Sequence, residues 1–261
     1  MSLAVKLLLS PLLVAQAVRT RRRAVAMPEP DGARSGRVGS GPALRLLIVG
    51  DLSAAGVGVR SQDDALSGHL TRTLARLSGR TVDWQLLARA GLTTAQALAM
   101  LRASPPDAAD VAVIALGVND VVNQVSSQRA VNARKALAEF LRHQAGAQHV
   151  MFSPLPPMHD FQLLPQPLRW VAGRDARRHD HAQARWAATC NDTWHVPIAV
   201  RLAPETMAED GFHPGEPVYR RCGEALATFI ATVLWPAIDI DIDIAIAIAI
   251  AIDNNTTETR P

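Results

Sequence analysis

Residues 111–120 read VAVIALGVND: six apolar residues, then Gly117, Val118, Asn119 and Asp120. A short apolar run ended by a glycine reads as a strand buried on both faces, and such strands belong to parallel sheets covered by helices. The pattern recurs upstream at residues 44–49 (LRLLIV), ended by Gly50 and Asp51, and in weaker form at 82–88, 149–153 and 196–200. Helical spacings fill the intervals. Leu66, Leu70, Leu74 and Leu77 mark a helix over 62–77, and others are predicted over 93–102 and 127–144. A long helix after Pro167 is expected to anchor on Trp170 and Trp186, and a closing helix over 217–234 to bury Ala225, Phe229 and Val233 on one face. Strands alternating with helices predict an α/β fold, a three-layer α/β/α sandwich around a mostly parallel sheet. Functional groups then belong at the carboxyl ends of the strands.

Composition supports a globular body: of 261 residues, 48% are hydrophobic and 20% charged, which excludes a mainly disordered or fibrous chain. Aromatic residues make up only 4%, so the core must be aliphatic. The formal net charge is +3, but residues 1–45 alone carry a balance of +6, leaving the rest slightly acidic. That distribution argues against a nucleic-acid-binding body. Cys190 and Cys222 form no disulfide framework and lack zinc-ligand spacing; Cys222, within an apolar helical pattern, is expected to be a buried free thiol.

The two ends differ from the body. Residues 1–27 join an apolar stretch, broken by Lys6 and Pro11, to Arg19, Arg21, Arg22 and Arg23. The stretch falls short of the roughly 20 residues needed to cross a bilayer. Ala15-Gln16-Ala17 has the small-x-small form of a signal-peptidase site, yet the charges follow the apolar region instead of preceding it. This order suits a helix lying on an anionic membrane surface through residues 1–23; a helix packed on the body and a cleaved leader are the alternatives. Residues 28–42, with Pro28, Pro30, Gly32, Gly36, Gly39, Gly41 and Pro42, read as a linker to a body over 43–236. From Ile238 to Ile252 every even position is Ile, alternating first with Asp and then with Ala. Residues 237–261 are therefore read as a low-complexity tail with no catalytic role.

Four clusters stand at the expected strand ends. In chain order they are Gly50-Asp51-Leu52-Ser53, Arg89-Ala90-Gly91-Leu92-Thr93-Thr94, Gly117-Val118-Asn119-Asp120 and Asp210-Gly211-Phe212-His213-Pro214. Together they resemble the SGNH (GDSL-type) ester hydrolases over about residues 44–236. The resemblance implies a flavodoxin-like sheet and a site for carboxylic esters. By the family's pattern, His213 is the catalytic base and Asp210 its orienter, while Gly91 and Asn119 donate to the oxyanion. Such acyl transfer requires a nucleophile, an oriented base and donors where the carbonyl oxygen gains charge, and it requires no metal or other cofactor.

The nucleophile position departs from the pattern. The family places serine directly after Gly-Asp, where this chain has Leu52; Ser53 follows one residue late. On a helix, one residue turns a side chain by roughly 100°. Three readings stay open: an active esterase through Ser53, a catalytically inactive relative (a pseudoenzyme) that binds an ester or acyl ligand, and a recent loss of the serine at position 52. Ser153-Pro154-Leu155-Pro156-Pro157-Met158-His159 follows the fourth strand, and Leu155 and Met158 are expected to line an acyl pocket. His179-Asp180-His181 has the look of a metal cluster, but neighbouring Arg177, Arg178 and Arg185 oppose a cation, and a solvated helix face is expected. The expected partner is a small-molecule ester with no nucleic acid involved, and the expected location is cytoplasmic, peripheral to the inner membrane face.

Overall fold

A computed structural model describes residues 3–23 and 27–235. The chain runs α1 (Leu3–Arg23), β1 (Ser35–Val38), β2 (Ala43–Gly50), α2 (Leu52–Ala55), α3 (Leu66–Ser78), β3 (Thr81–Ala88) and α4 (Thr94–Ala103). It continues with β4 (Val111–Ala115), α5 (Val118–Val122), α6 (Ser127–Ala145), β5 (His149–Phe152), α7 (Leu168–Ala187), β6 (Thr193–His195) and α8 (Glu216–Phe229), which passes into a π-helical turn over Ile230–Leu234.

The strands form one sheet in the order β1-β3-β2-β4-β5-β6. All neighbours pair in parallel except β1, which runs antiparallel along β3. Without that edge strand the order is the flavodoxin-like one. From β2 the chain goes outward to β3 on one side and to β4 on the other, so a crevice opens at the carboxyl ends of β2 and β4.

Strand alternation in β2 divides the core between the two faces of the sheet. Leu44, Leu46 and Ile48 meet Leu70 and Leu74 of α3 and Leu226, Ile230 and Leu234 of the closing helix. Leu47 and Val49 meet Leu98 and Leu101 of α4 and Leu137 and Leu141 of α6. Burying a Leu, Val or Ile side chain contributes roughly 1.5–3 kcal/mol, so these two aliphatic layers hold the sheet between its helices despite the scarcity of aromatic residues. A third cluster, with Val121, Leu155, Met158, Phe161, Leu164 and Val218, lies beyond the carboxyl ends of the strands.

Several local expectations need correction. Residues 28–42, read as a linker, supply edge strand β1, and Asp31 makes an isolated bridge to Ser61. The sixth strand is Thr193–His195; residues 196–200 are not a strand, although Val196 is buried. Val233 is exposed on the closing helix, whose buried face instead carries Val218, Tyr219, Leu226, Ala227 and Ile230. Trp170 is exposed, whereas Trp186 packs edge-on against Phe152 at 5.4 Å between ring centroids. Cys222 is half-buried and free, and its surroundings push the thiol up to about 11. Residues 237–261 lie outside the described residues. No described helix is long and apolar enough to cross a membrane.

Candidate active site

The first site residues follow β2 without a connecting loop. A side chain at Gly50 would place its Cβ 2.3 Å from the Ala54 Cβ and 2.6 Å from the Ala115 carbonyl, so α2 turns this tightly over β4 only on a glycine. Asp51 caps α2: its Oδ1 accepts the Ser53 amide at 3.2 Å and its Oδ2 the Asn119 side-chain amide at 2.9 Å. Asp51 is buried, and burial pushes its carboxyl up to about 6 against the pull of those two donors. The α2 turn buries Ala54 and Ala55 and leaves Leu52 and Ser53 half-buried. Leu52 takes the first helical position and Ser53 the second. Among the described residues the Ser53 hydroxyl makes no hydrogen bond.

The second half of the site comes from the loop before α8. Asp210 Oδ1 accepts the backbone amides of Phe212 at 2.9 Å and His213 at 3.0 Å, and Asp210 Oδ2 lies 2.5 Å from His213 Nδ1. Burial disfavours the charged carboxylate, but the two amides and the imidazole outweigh it and hold Asp210 below the usual range. With Nδ1 donating to Asp210, His213 keeps Nε2 as its basic nitrogen. The turn is closed by the Ala208 amide on the His213 carbonyl at 2.9 Å. The Phe212 ring stands edge-on to the imidazole at 5.3 Å. This loop lies directly against the segment that follows α2: a Cβ on Gly58 would sit 3.1 Å from the His213 Cβ. The Tyr219 hydroxyl fixes that segment by donating to the Val57 carbonyl at 2.6 Å.

Gly91 lies in the exposed turn after β3 with φ +79°, and Asn119 lies in the first turn of α5. A residue that the sequence reading left without a role links them. The Asp120 carboxylate accepts the Thr94 amide at 3.0 Å and the Thr94 hydroxyl at 2.6 Å, tying the turn that carries Gly91 to the helix that carries Asn119. Arg134 Nη2 also reaches Asp120, at 3.3 Å, from a fully buried position on α6. The sequence held a signal for Arg134: it falls among Ala130, Leu137, Ala138 and Leu141 on the apolar stripe of α6, where a charge needs a partner.

Leu155 and Met158 pack inside the third cluster with Phe161 and Leu164. The loop carrying them is pinned from α7, where Asp180 Oδ1 accepts the Leu155 amide at 2.9 Å and contacts His195 Nε2 at 2.9 Å, while Gln183 Nε2 donates to the Ser153 carbonyl. His179-Asp180-His181 is therefore not a solvated face: His179 is buried and Asp180 half-buried against the loop, and only His181 is exposed. Burial lowers the His179 pKa. No group of three or more side chains that could hold a metal ion exists among the described residues.

The arrangement offers an oriented imidazole packed against the segment after α2, a buried carboxylate behind a side-chain amide at the carboxyl ends of β2 and β4, and a left-handed glycine turn after β3. The fold agrees with comparisons to known proteins. A GDSL-like esterase of Mycobacterium tuberculosis, Rv1075c, is 29% identical over 258 residues, covering 88% of this chain and 79% of that protein. Among solved structures, a lipase from a goat rumen metagenome, Lip_vut3, superposes with a TM-score of 0.59 at 18% identity, over 72% of this chain and 97% of that one. An arylesterase candidate from Agrobacterium tumefaciens gives 0.54 at 20% identity, over 72% and 98%. The model of the GDSL-like lipase/acylhydrolase family matches residues 48–221, which is more than half of the sequence and includes every cluster described above. On that match, the chain belongs to the GDSL-like lipase/acylhydrolase family.

Proposed function

We propose that the crevice binds carboxylic esters and hydrolyses them by Ser-His-Asp chemistry, with Ser53 standing in for a serine at position 52. The carrying observation is the His213 imidazole, fixed through Nδ1 to Asp210 and packed against the segment that follows Ser53. In this mechanism His213 Nε2 takes the Ser53 hydroxyl proton as Oγ attacks the acyl carbon. The carbonyl oxygen becomes an oxyanion and receives the Gly91 amide and the free N–H of Asn119, whose other N–H is held by Asp51. His213 then gives its proton to the departing alcohol, leaving an acyl-Ser53. Water, deprotonated by His213, attacks that ester, and the carboxylic acid and Ser53 are released.

Turnover is expected to be slow. Leu52 puts an apolar branch at the family's nucleophile position, and a misplacement of about 1 Å can cost about 100-fold in rate. Leu52 also favours a second reading, an inactive protein that holds an ester or acyl ligand. Hydrolysis of a short-chain p-nitrophenyl ester by the native protein, Ser53→Ala and Leu52→Ser separates the two. Native activity that is lost in Ser53→Ala supports the shifted nucleophile. An inert native protein revived by Leu52→Ser means that the rest of the site is intact and that the chain has lost its nucleophile, which overturns Ser53 in that role. Inertness of all three on several chain lengths overturns the ester-hydrolase proposal.

A further inference from the structure

The outer face of α7 is strongly one-sided. Trp170, Arg174, Arg177, Arg178, His181 and Arg185 recur every third or fourth residue and are all exposed, so they form one stripe along the helix. The two carboxylates of α7, Asp175 and Asp180, are half-buried on other faces. Arg174 lies over the Trp170 ring, its guanidinium carbon 5.7 Å from the centroid. A carboxylate-free row of arginines that begins at an exposed tryptophan pairs charge with an interfacial anchor.

The amino-terminal helix adds apolar surface at that end of the stripe. Gln16 of α1 donates to the Gln166 carbonyl at 2.7 Å and accepts the Leu168 amide at 3.1 Å, fixing α1 beside the start of α7. Leu9, Leu13, Gln16 and Thr20 of α1 are half-buried, whereas Leu12, Val14 and Val18 are 47%, 61% and 45% exposed. The Arg19, Arg21, Arg22 and Arg23 cluster then ends the helix. Water offers no partner for that apolar side, and the exposed Arg19 together with the α7 arginines calls for an anionic one.

We propose that α1 and the outer face of α7 form one docking surface for an anionic phospholipid membrane. Leu12, Val14 and Val18 of α1 and Trp170 enter the headgroup region, and the α7 arginines pair with lipid phosphates. A nucleic acid would satisfy the arginines but leave Val14 and Val18 without a partner. The surface adjoins the ester crevice. His159 contacts Arg177 at 3.2 Å, and from the same loop the exposed Leu163 lies 3.9 Å from where a Gly211 Cβ would stand. Docking would thus set the crevice beside the lipid layer, a consequence that rests on the ester-site reading, whereas docking itself does not.

The test is sedimentation of the full chain with vesicles of phosphatidylcholine alone and of an equal mixture of phosphatidylcholine and phosphatidylglycerol. Binding to the mixed vesicles is expected, with weakening in high salt. Each arginine near an anionic surface is worth roughly fivefold in partitioning, so Arg174→Gln/Arg178→Gln/Arg185→Gln should lose roughly 100-fold. Glutamine keeps a similar helix propensity, and all three positions are exposed, so the fold should be retained. Val14→Asp/Val18→Asp is expected to release the protein as well. Absent binding, equal binding to both vesicle types, or binding unchanged in the arginine variant each overturns the proposal. So does tighter binding to a DNA duplex than to the vesicles, or a concentration-dependent dimer abolished by Val14→Asp/Val18→Asp, which would assign the face to a second copy.

Discussion

The Asp51 carboxylate holds the Asn119 side-chain amide at 2.9 Å from inside the crevice, joining the turn after β2 to the helix after β4. The link spans the point where the chain reverses direction across the sheet, so one buried acid controls the orientation of the Asn119 amide. Burial sets the Asp51 carboxyl at about 6, against an ordinary value of 3.8.

That shift has a sign that can be measured. A carboxyl raised on folding makes the native state bind more protons than the unfolded chain between about pH 4 and 6. The associated stability is fully present below the unfolded value and is lost as pH rises through about 6. Asp51→Asn, which cannot ionise, should escape this loss. Relative to the variant, the native protein is expected to lose up to about 3 kcal/mol between pH 4 and 7, read from denaturant titrations at each pH. A difference independent of pH would place the Asp51 carboxyl near its ordinary value.

Asp210 carries the opposite sign. Its two amide donors and the imidazole hold it below the usual range, so its stabilising effect is present above the unfolded value and is lost as pH falls through the folded one. Asn at this position can still accept the Phe212 and His213 amides, so the turn should persist. The imidazole, however, would lose its anionic partner. In whichever protein hydrolyses ester, native or Leu52→Ser, Asp210→Asn is expected to lower kcat by about 10,000-fold with little change in KM. Retention of more than a tenth of the rate would remove Asp210 from the orienting role.

Arg134 and Asp120 make a buried ion pair, and Arg134 Nε and Nη1 have no hydrogen-bond partner among the described residues. Burial drives the Arg134 pKa down while Asp120 and Asp180 oppose the fall. Removing the cation alone strands the Asp120 charge, so Arg134→Met should cost about 3–5 kcal/mol in chemical denaturation. Arg134→Met/Asp120→Asn should recover part of that loss, because the amide can still accept from Thr94. Equal losses in the single and double variants would show that packing, not charge, dominates the site.

The parts of this molecule that were legible in its sequence are those set by short-range pattern. Residues 44–49 and 111–116 announce buried strands because both faces of a central parallel strand are apolar, whereas Asp210 and His213 stand out only through the resemblance to the SGNH hydrolases; the structure pairs them within one turn. The edge strand Ser35–Val38 was not legible: it is mostly exposed and interrupted by Gly36, so it takes its strand character from pairing with β3. Asp180 was misread because its charge pattern suited a solvated helix; the Leu155 amide that it satisfies lies 25 residues away in sequence. Asp120 likewise gains its bridging role only when the fold brings Thr94 and Arg134 to it.

Tyr219 tests how firmly the α2 turn must be held. Its buried hydroxyl donates to the Val57 carbonyl at 2.6 Å, joining α8 to the segment that follows Leu52 and Ser53. Burial, with the nearby Asp51 charge, keeps the phenol well above its ordinary range, so it remains a donor at all working pH values. Tyr219→Phe keeps the ring among its core neighbours and removes one hydrogen bond, leaving the Val57 carbonyl without that donor. The expected cost is about 1–3 kcal/mol in thermal or denaturant unfolding. Because the same segment packs against His213, kcat for ester hydrolysis should fall more than KM changes in any active form of the protein. A full stability loss with unchanged kcat would mean that α2 keeps its position without this tie, and that His213 alone sets the geometry of the crevice.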